Sequence, residues 1–213
     1  MSKFEEHEIT SFFSILNENN IEYILLRNID SELPRNLSKK KDIDIIVKIE
    51  DKHKLEKAFL KKKWQKIKHP YSKVPYLYSM NPFDFYNLEG LHIDVAYEIA
   101  CRSIITRQWI PLDQRIQEDL WKYKKVVNDL PWKYILSNEI EMVHLLTRCI
   151  FDKKTFNDGY IRRINELYPF SSREILSEYL DLVFFKFRPT LLKMVDNREY
   201  HIIINEYLTF KDY

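Results

Sequence analysis

Lys41-Asp42-Ile43-Asp44-Ile45-Ile46-Val47 is the stretch on which the reading of this chain turns. Its β-branched run predicts a strand, and residues two apart on a strand point to the same face. Asp42 and Asp44 therefore project together, while Ile43, Ile45, Ile46 and Val47 have the character of core. Two carboxylates a few Å apart raise a pKa or require a cation between them. The pair is a poor structural choice unless a hard ion such as Mg²⁺ is supplied. A third carboxylate, Asp94, interrupts the apolar strand sequence Leu91-His92-Ile93-Asp94-Val95-Ala96. Aspartates at strand starts commonly serve as turn or cap residues, which would account for the pair alone. The third intrusion shifts the balance toward one metal site.

Outward from this stretch, the apolar run Tyr23–Leu26 predicts a buried strand, and Arg27 to Lys41, with Pro34 and a basic tail from Lys39, predicts a loop. Helices are expected over Phe4–Asn19, ending in an Asn-rich stop, and over Asp51–Lys63. Short strands are expected at Trp64–Lys68, Tyr76–Met80, Phe83–Asn87 and Leu91–Tyr97, the last two joined as a hairpin through Glu89-Gly90. Beyond Ala100 the pattern is helical except for a short strand near Trp132–Leu136. Asn138-x-x-Glu141 and Ser171-x-x-Glu174 resemble capping boxes opening helices to about Phe151 and Phe185, and a last helix should run from just after Pro189 to Leu208. The expected architecture is α+β: a mixed sheet with flanking helices over residues 1–136, then a C-terminal helical bundle over 137–213.

The chain has 213 residues, 45% of them hydrophobic, which is enough for a sizeable core. Lys plus Arg total 34 against 32 Asp plus Glu, a net charge of +2 too small to mark the whole molecule as a nucleic-acid or membrane-surface binder. Any basic function must be local; Lys61 to Lys63 lie at a helix end, where they complement the dipole. With two glycines, Gly90 and Gly159, neither a GxGxxG fingerprint nor a Walker A loop can be written. Cys101 and Cys149 form no CxxC pair and read as buried thiols in a reducing compartment. The charged N-terminus lacks an apolar stretch of signal-peptide length and no run approaches a membrane span. A cytoplasmic protein without membrane or nucleic-acid partners is expected.

Tyr23-Ile24-Leu25-Leu26-Arg27-Asn28-Ile29-Asp30, Leu33-Pro34, Lys41 to Val47 and Leu91 to Val95 together resemble the nucleotidyltransferase superfamily related to DNA polymerase beta. The likeness is greatest to small bacterial members associated with surface-polysaccharide gene clusters, and it spans about residues 5 to 100. It implies that Asp42 and Asp44 hold two Mg²⁺ ions bridging an NTP triphosphate. Asp94 would complete the metal site and help activate the acceptor hydroxyl. The implied reaction moves a nucleoside monophosphate from NTP to a small acceptor, a sugar or other surface-polysaccharide precursor, with release of pyrophosphate. Where the family has Gly-Ser ahead of the DxD pair, this chain has Arg27-Asn28. Arg27 could clamp a phosphate bidentately and Asn28 donate to a phosphate or ribose oxygen. Alternatively the fold is a noncatalytic nucleotide- or sugar-phosphate-binding module. A metal-dependent phosphodiesterase is a third reading, for which the composition advertises no basic channel.

Other candidates follow from position. Lys41, with Lys39 and Lys40, could attract a triphosphate. His92 should share a face with Asp94 and contact substrate, with Glu98 behind it. Arg148, Lys153 and Lys154 lie where a helical domain would reach a nucleotide, whereas His144 reads as bundle packing. Tyr97 and Trp109 could stack on a base, although packing is the plainer role for each.

Overall fold

The computed structural model describes residues 2–68, 83–102 and 109–212. In chain order the first elements are α1 (Glu6–Glu18), β1 (Tyr23–Leu25), β2 (Asp42–Val47), α2 (Lys52–Lys61), β3 (Gln65–Ile67), β4 (Asp84–Leu88) and β5 (Leu91–Ala96). There follow β6 (Ala100–Arg102), β7 (Trp109–Pro111), α3 (Gln114–Lys122), β8 (Lys125–Val126) and β9 (Tyr134–Ile135). The chain closes with α4 (Asn138–Thr147), α5 (Asp158–Leu167), α6 (Arg173–Phe184), α7 (Arg188–Asp196) and α8 (Ile203–Thr209). These elements group into two compact units, residues 1–99 with 123–136, and residues 100–122 with 137–213. The border after Leu136 is thus the last of three crossings, and residues 100–122 cluster with the second unit.

The first unit is a seven-stranded mixed sheet in the order β3-β4-β5-β2-β1-β9-β8. β2 runs parallel to β5 and β1 parallel to β9; the remaining pairs are antiparallel. Alternation along the strands sends Ile43, Ile45, Val47, Ile93 and Val95 to one face. There they join Phe12, Phe13 and Leu16 of α1 and Leu55, Ala58 and Phe59 of α2 in one buried core. Phe59 is its aromatic centre, stacked on Trp64 at 5.2 Å and edge-on to Tyr86 at 4.7 Å. The second unit holds the β6–β7 pair and the helices α3 to α8. That small sheet and the β8 strand were not expected from a region of helical pattern, because two- and three-residue strands leave no measurable periodicity. The expected strand at Tyr76–Met80 lies outside the described residues.

Helix ends show how a chain with two glycines manages its turns. α1, α2 and α7 all close with paired hydrogen bonds that cap the last carbonyls: Ile21 to Leu16 with Asn20 to Asn17, Trp64 to Phe59 with Lys63 to Leu60, and Glu199 to Met194 with Arg198 to Val195. This motif puts one residue in the left-handed region, normally glycine. Here Asn20, Lys63 and Arg198 occupy it at φ +50°, +65° and +59°. The Arg198 turn divides the single helix expected between Pro189 and Leu208 into α7 and α8. Gly90, at φ +94° beside Glu89 at +51°, closes the predicted β4–β5 hairpin with both turn residues at positive φ. The N-caps shift by one residue from expectation. Ser137, not Asn138, accepts from the Ile140 amide, and Ser172, not Ser171, from Ile175.

A side chain in the left-handed region costs roughly 1–2 kcal/mol, part of which glycine returns as unfolded-chain entropy. Arg198→Gly should therefore raise stability by about 0.5–1 kcal/mol, read as an increased urea midpoint, and Arg198→Val should lower it. A glycine variant less stable than the parent would contradict the assigned turn.

Candidate active site

The parallel pairing of β2 with β5 aligns Asp42 with His92 and Asp44 with Asp94. Parallel neighbours in register present the same face together, so the strands gather the three carboxylates on the face opposite the α1 and α2 core. One oxygen from each of Asp42, Asp44 and Asp94 lies within 4.8 Å of the others. Asp42 is exposed, and Asp44 and Asp94 are half-buried. Burial, then the charges of Asp44 and Asp42 and a hydrogen bond shared with Asp42, push the Asp94 carboxyl up to about 8; the Arg27 guanidinium pulls the other way without prevailing. The described site has an all-carboxylate donor set with neither thiolate nor imidazole among the clustered ligands, which suits a hard divalent cation such as Mg²⁺. Burial and neighbouring like charge both disfavour the ionised form, which is why the Asp94 carboxyl is raised.

Arg27 follows β1, whose ladder with β2 continues past the strand end through the Leu26 amide to the Asp44 carbonyl at 3.0 Å. Its guanidinium pairs with Asp44 Oδ1, both side chains being largely buried. Asn28 is spent locally: Nδ2 donates to the Leu33 carbonyl at 3.3 Å and Oδ1 accepts from the Leu33 amide at 3.1 Å. That closes the turn after β1 and occupies the amide expected to face a phosphate. Lys41 pairs with Glu32 at 2.8 Å and Asp30 at 3.4 Å, and Glu32 is the main cause of its raised pKa. Both acids precede it in the expected loop, but which lysine they would meet is decided by the fold of that loop.

His92 is exposed on the carboxylate face, with Asn87 Nδ2 3.2 Å from its Nε2. Asn87 was not singled out from sequence. The β4–β5 register sets Asn87 opposite His92 and Phe85 opposite Asp94, a placement that alternation on β4 alone could not give. Tyr97 is buried and donates to Asp84 at 2.7 Å, so its ring is packing and not a base platform. Glu98 is half-buried. In the second unit Trp109 faces the Arg102 guanidinium at 5.7 Å, and Arg102 and Arg148 both pair with Asp152 at 3.2 Å. His144 is buried in α4, as expected, and both cysteines are free thiols, Cys149 buried and Cys101 partly exposed.

The Asp94 shift has a pH signature. Below its ordinary 3.8 the carboxyl is protonated in folded and unfolded chains alike. Between 3.8 and about 8 the unfolded chain ionises while the folded one retains its proton, so this group lowers stability as pH rises through that window. A cation binds the ionised carboxylate and must displace the proton. Mg²⁺ should therefore raise the melting temperature more at about pH 8 than at about pH 5, and Asp94→Asn should remove the difference. Equal Mg²⁺ shifts at both pH values in the parent protein would refute the arrangement.

No protein-family model and no curated protein matches the sequence. Solved structures do resemble it. The antibiotic-resistance factor ANT(2'')-Ia, an aminoglycoside nucleotidyltransferase, aligns over 93% of this chain and 98% of its own, with 11% identity and a TM-score of 0.50. An antigenic nucleotidyltransferase-like protein from Paracoccidioides brasiliensis aligns over 90% of this chain and 91% of its own, with 14% identity and a TM-score of 0.45. With the mixed sheet and the C-terminal helices already described, the first of these likenesses establishes that the chain has a nucleotidyltransferase-type fold.

Proposed function

We propose that the protein transfers a nucleoside monophosphate from an NTP to the hydroxyl of a small acceptor, with Mg²⁺ at Asp42, Asp44 and Asp94. The observation that carries this reading is the convergence of three strand carboxylates on one sheet face, within reach of a shared cation. Bound there, Mg²⁺ ions, two on the family resemblance, would polarise phosphoryl oxygens and offset the charge of the triphosphate.

The residues of the chain have distinct parts. Asp42 and Asp44 supply anionic oxygens from a strand whose opposite face is locked in the core, so their spacing is fixed before substrate arrives. Asp94, once ionised, accepts the proton of the attacking hydroxyl. As that oxygen bonds to the α-phosphorus, the bond to the bridging oxygen breaks and pyrophosphate leaves. Arg27, now on Asp44, is a cation beside the carboxylates for a phosphate oxygen and stabilises charge that develops during transfer. Lys41 adds positive charge at the loop edge, and exposed His92 offers the acceptor a hydrogen bond. Asn28 contributes by holding the turn that presents Arg27. A sugar or related surface-polysaccharide precursor is the acceptor class suggested by the sequence resemblance, and two free thiols accord with a reducing, cytoplasmic setting.

A second reading has its own support. Arg27 is tied to Asp44 and Asn28 to Leu33, so the segment after β1 is engaged internally where relatives offer small residues. A noncatalytic module that holds a nucleotide or sugar phosphate would keep the carboxylates and lose transfer.

Thermal shifts with each of the four NTPs, with and without Mg²⁺, separate these readings when combined with pyrophosphate release. Ligand at about a hundredfold excess over Kd adds roughly 2.7 kcal/mol to stability. The proposal expects Mg²⁺-dependent stabilisation by at least one NTP and pyrophosphate release that falls by about 10³-fold or more in Asp44→Asn. Stabilisation without release across a panel of hydroxyl acceptors would select the binding module. Release unaffected by Asp44→Asn would overturn the site.

A further inference from the structure

The small net charge of the chain conceals a strong local one. Residues 52–68 contain eight lysines and a single acid, Glu56, so the rest of the chain carries 26 basic against 31 acidic side chains. Three of these lysines are neutralised in the fold: Lys54 by Asp51 at 2.6 Å, Lys66 by Asp84 at 2.8 Å and Glu56 at 2.9 Å, and Lys52 near Asp84 at 3.5 Å. Lys57, Lys61, Lys62, Lys63 and Lys68 are exposed and meet no carboxylate among the described residues. Lys61 to Lys63 complement the C-terminal dipole of α2, but Lys57 lies a turn earlier and Lys68 beyond the edge strand β3, so the dipole does not account for the whole group.

At the centre stands Leu60. It is 77% exposed, and Lys57 and Lys61 are its neighbours at three residues before and one after. His53, Lys57, Leu60 and Lys61 fall at the i, i+4, i+7 and i+8 spacing of one helix face, the face that Leu55, Ala58 and Phe59 leave outward. Leu60 is an exposed apolar side chain with Lys57 and Lys61 beside it and Glu56, paired with Lys66, at i−4; lysine stems can snorkel to anionic headgroups while such an apolar tip enters the interface. Nucleic acid fits less well. The segment has no arginine for bidentate phosphate or guanine contacts, and its two rings, Phe59 and Trp64, are buried and unavailable for base stacking.

We propose that the outer face of α2, extended at its C-terminal end by Lys62 and Lys63 and tipped by Leu60, adsorbs the protein to anionic membrane surfaces. The inference is independent of the nucleotidyl-transfer reading. α2 packs on the sheet face opposite Asp42, Asp44 and Asp94, so adsorption through its outer side does not engage the carboxylates.

The test is co-sedimentation of the full chain with vesicles of pure phosphatidylcholine or of phosphatidylcholine with about one third phosphatidylserine. Binding to the anionic vesicles alone is expected, weakening as salt rises from about 0.05 M to about 0.5 M. At roughly fivefold per lysine, the triple variant Lys61→Gln, Lys62→Gln, Lys63→Gln should lose about a hundredfold in partitioning. Leu60→Ser should lose about tenfold at unchanged charge. All four positions are exposed, and unchanged far-ultraviolet circular dichroism will show that the variants fold. Equal binding to neutral vesicles, indifference to the triple variant, a Leu60→Ser protein that binds as well as the parent, or binding to duplex DNA without binding to vesicles would each overturn the proposal.

Discussion

Everything distinctive about this protein depends on the parallel pairing of β2 with β5 in one register. Because side chains alternate across a strand, that register makes a single choice for both faces: Ile43, Ile45, Ile93 and Val95 enter the core as Asp42, Asp44 and Asp94 come together outside it. A shift of one residue would bury aspartates among the phenylalanines of α1 and α2. The hydrophobic core therefore enforces a repulsion it does not benefit from, and burial together with that repulsion raises the Asp94 carboxyl above its ordinary range.

Relief comes from two sources inside the described structure. Arg27, delivered by the strand on the other side of β2, pairs with Asp44, and Asp94 stays neutral into a range where an isolated aspartate would be charged. On the proposed reading, a divalent cation would compete with the proton at Asp94 and free the guanidinium for an anionic substrate. The segment between β1 and β2 is itself held by internal contacts. Asn28 closes its turn, and Lys41 is held by Asp30 and Glu32 near the start of the aspartate strand.

The scarcity of glycine shapes the rest of the fold. Left-handed turns at Asn20, Lys63 and Arg198 are built from residues that adopt them at some cost, and the surrounding packing must hold them there. At Lys63 the same turn that ends α2 also swings Trp64 into the core and leaves three consecutive lysines outside. Local backbone chemistry and surface charge are thus coupled at one helix end.

Taken alone, the sequence specified the strand at 42–47, the hairpin through Glu89-Gly90, the helices at both ends and the three aspartates, because period-two alternation and misplaced charge are local signals. It located the core face of β2 for the same reason. It also pointed to one site for the three aspartates, but the exact register was beyond it: that Asp44 sits directly beside Asp94, that Asn87 meets His92, and that residues 100–122 cluster with the helical unit are long-range facts with no periodic trace. Side-chain commitments were also beyond it. Asn28, Lys41 and Tyr97 each have the chemistry to bind a nucleotide, yet their hydrogen bonds and ion pairs go to Leu33, Glu32 and Asp84. A sequence lists which groups exist, and only the folded chain decides which of them have already been satisfied by one another.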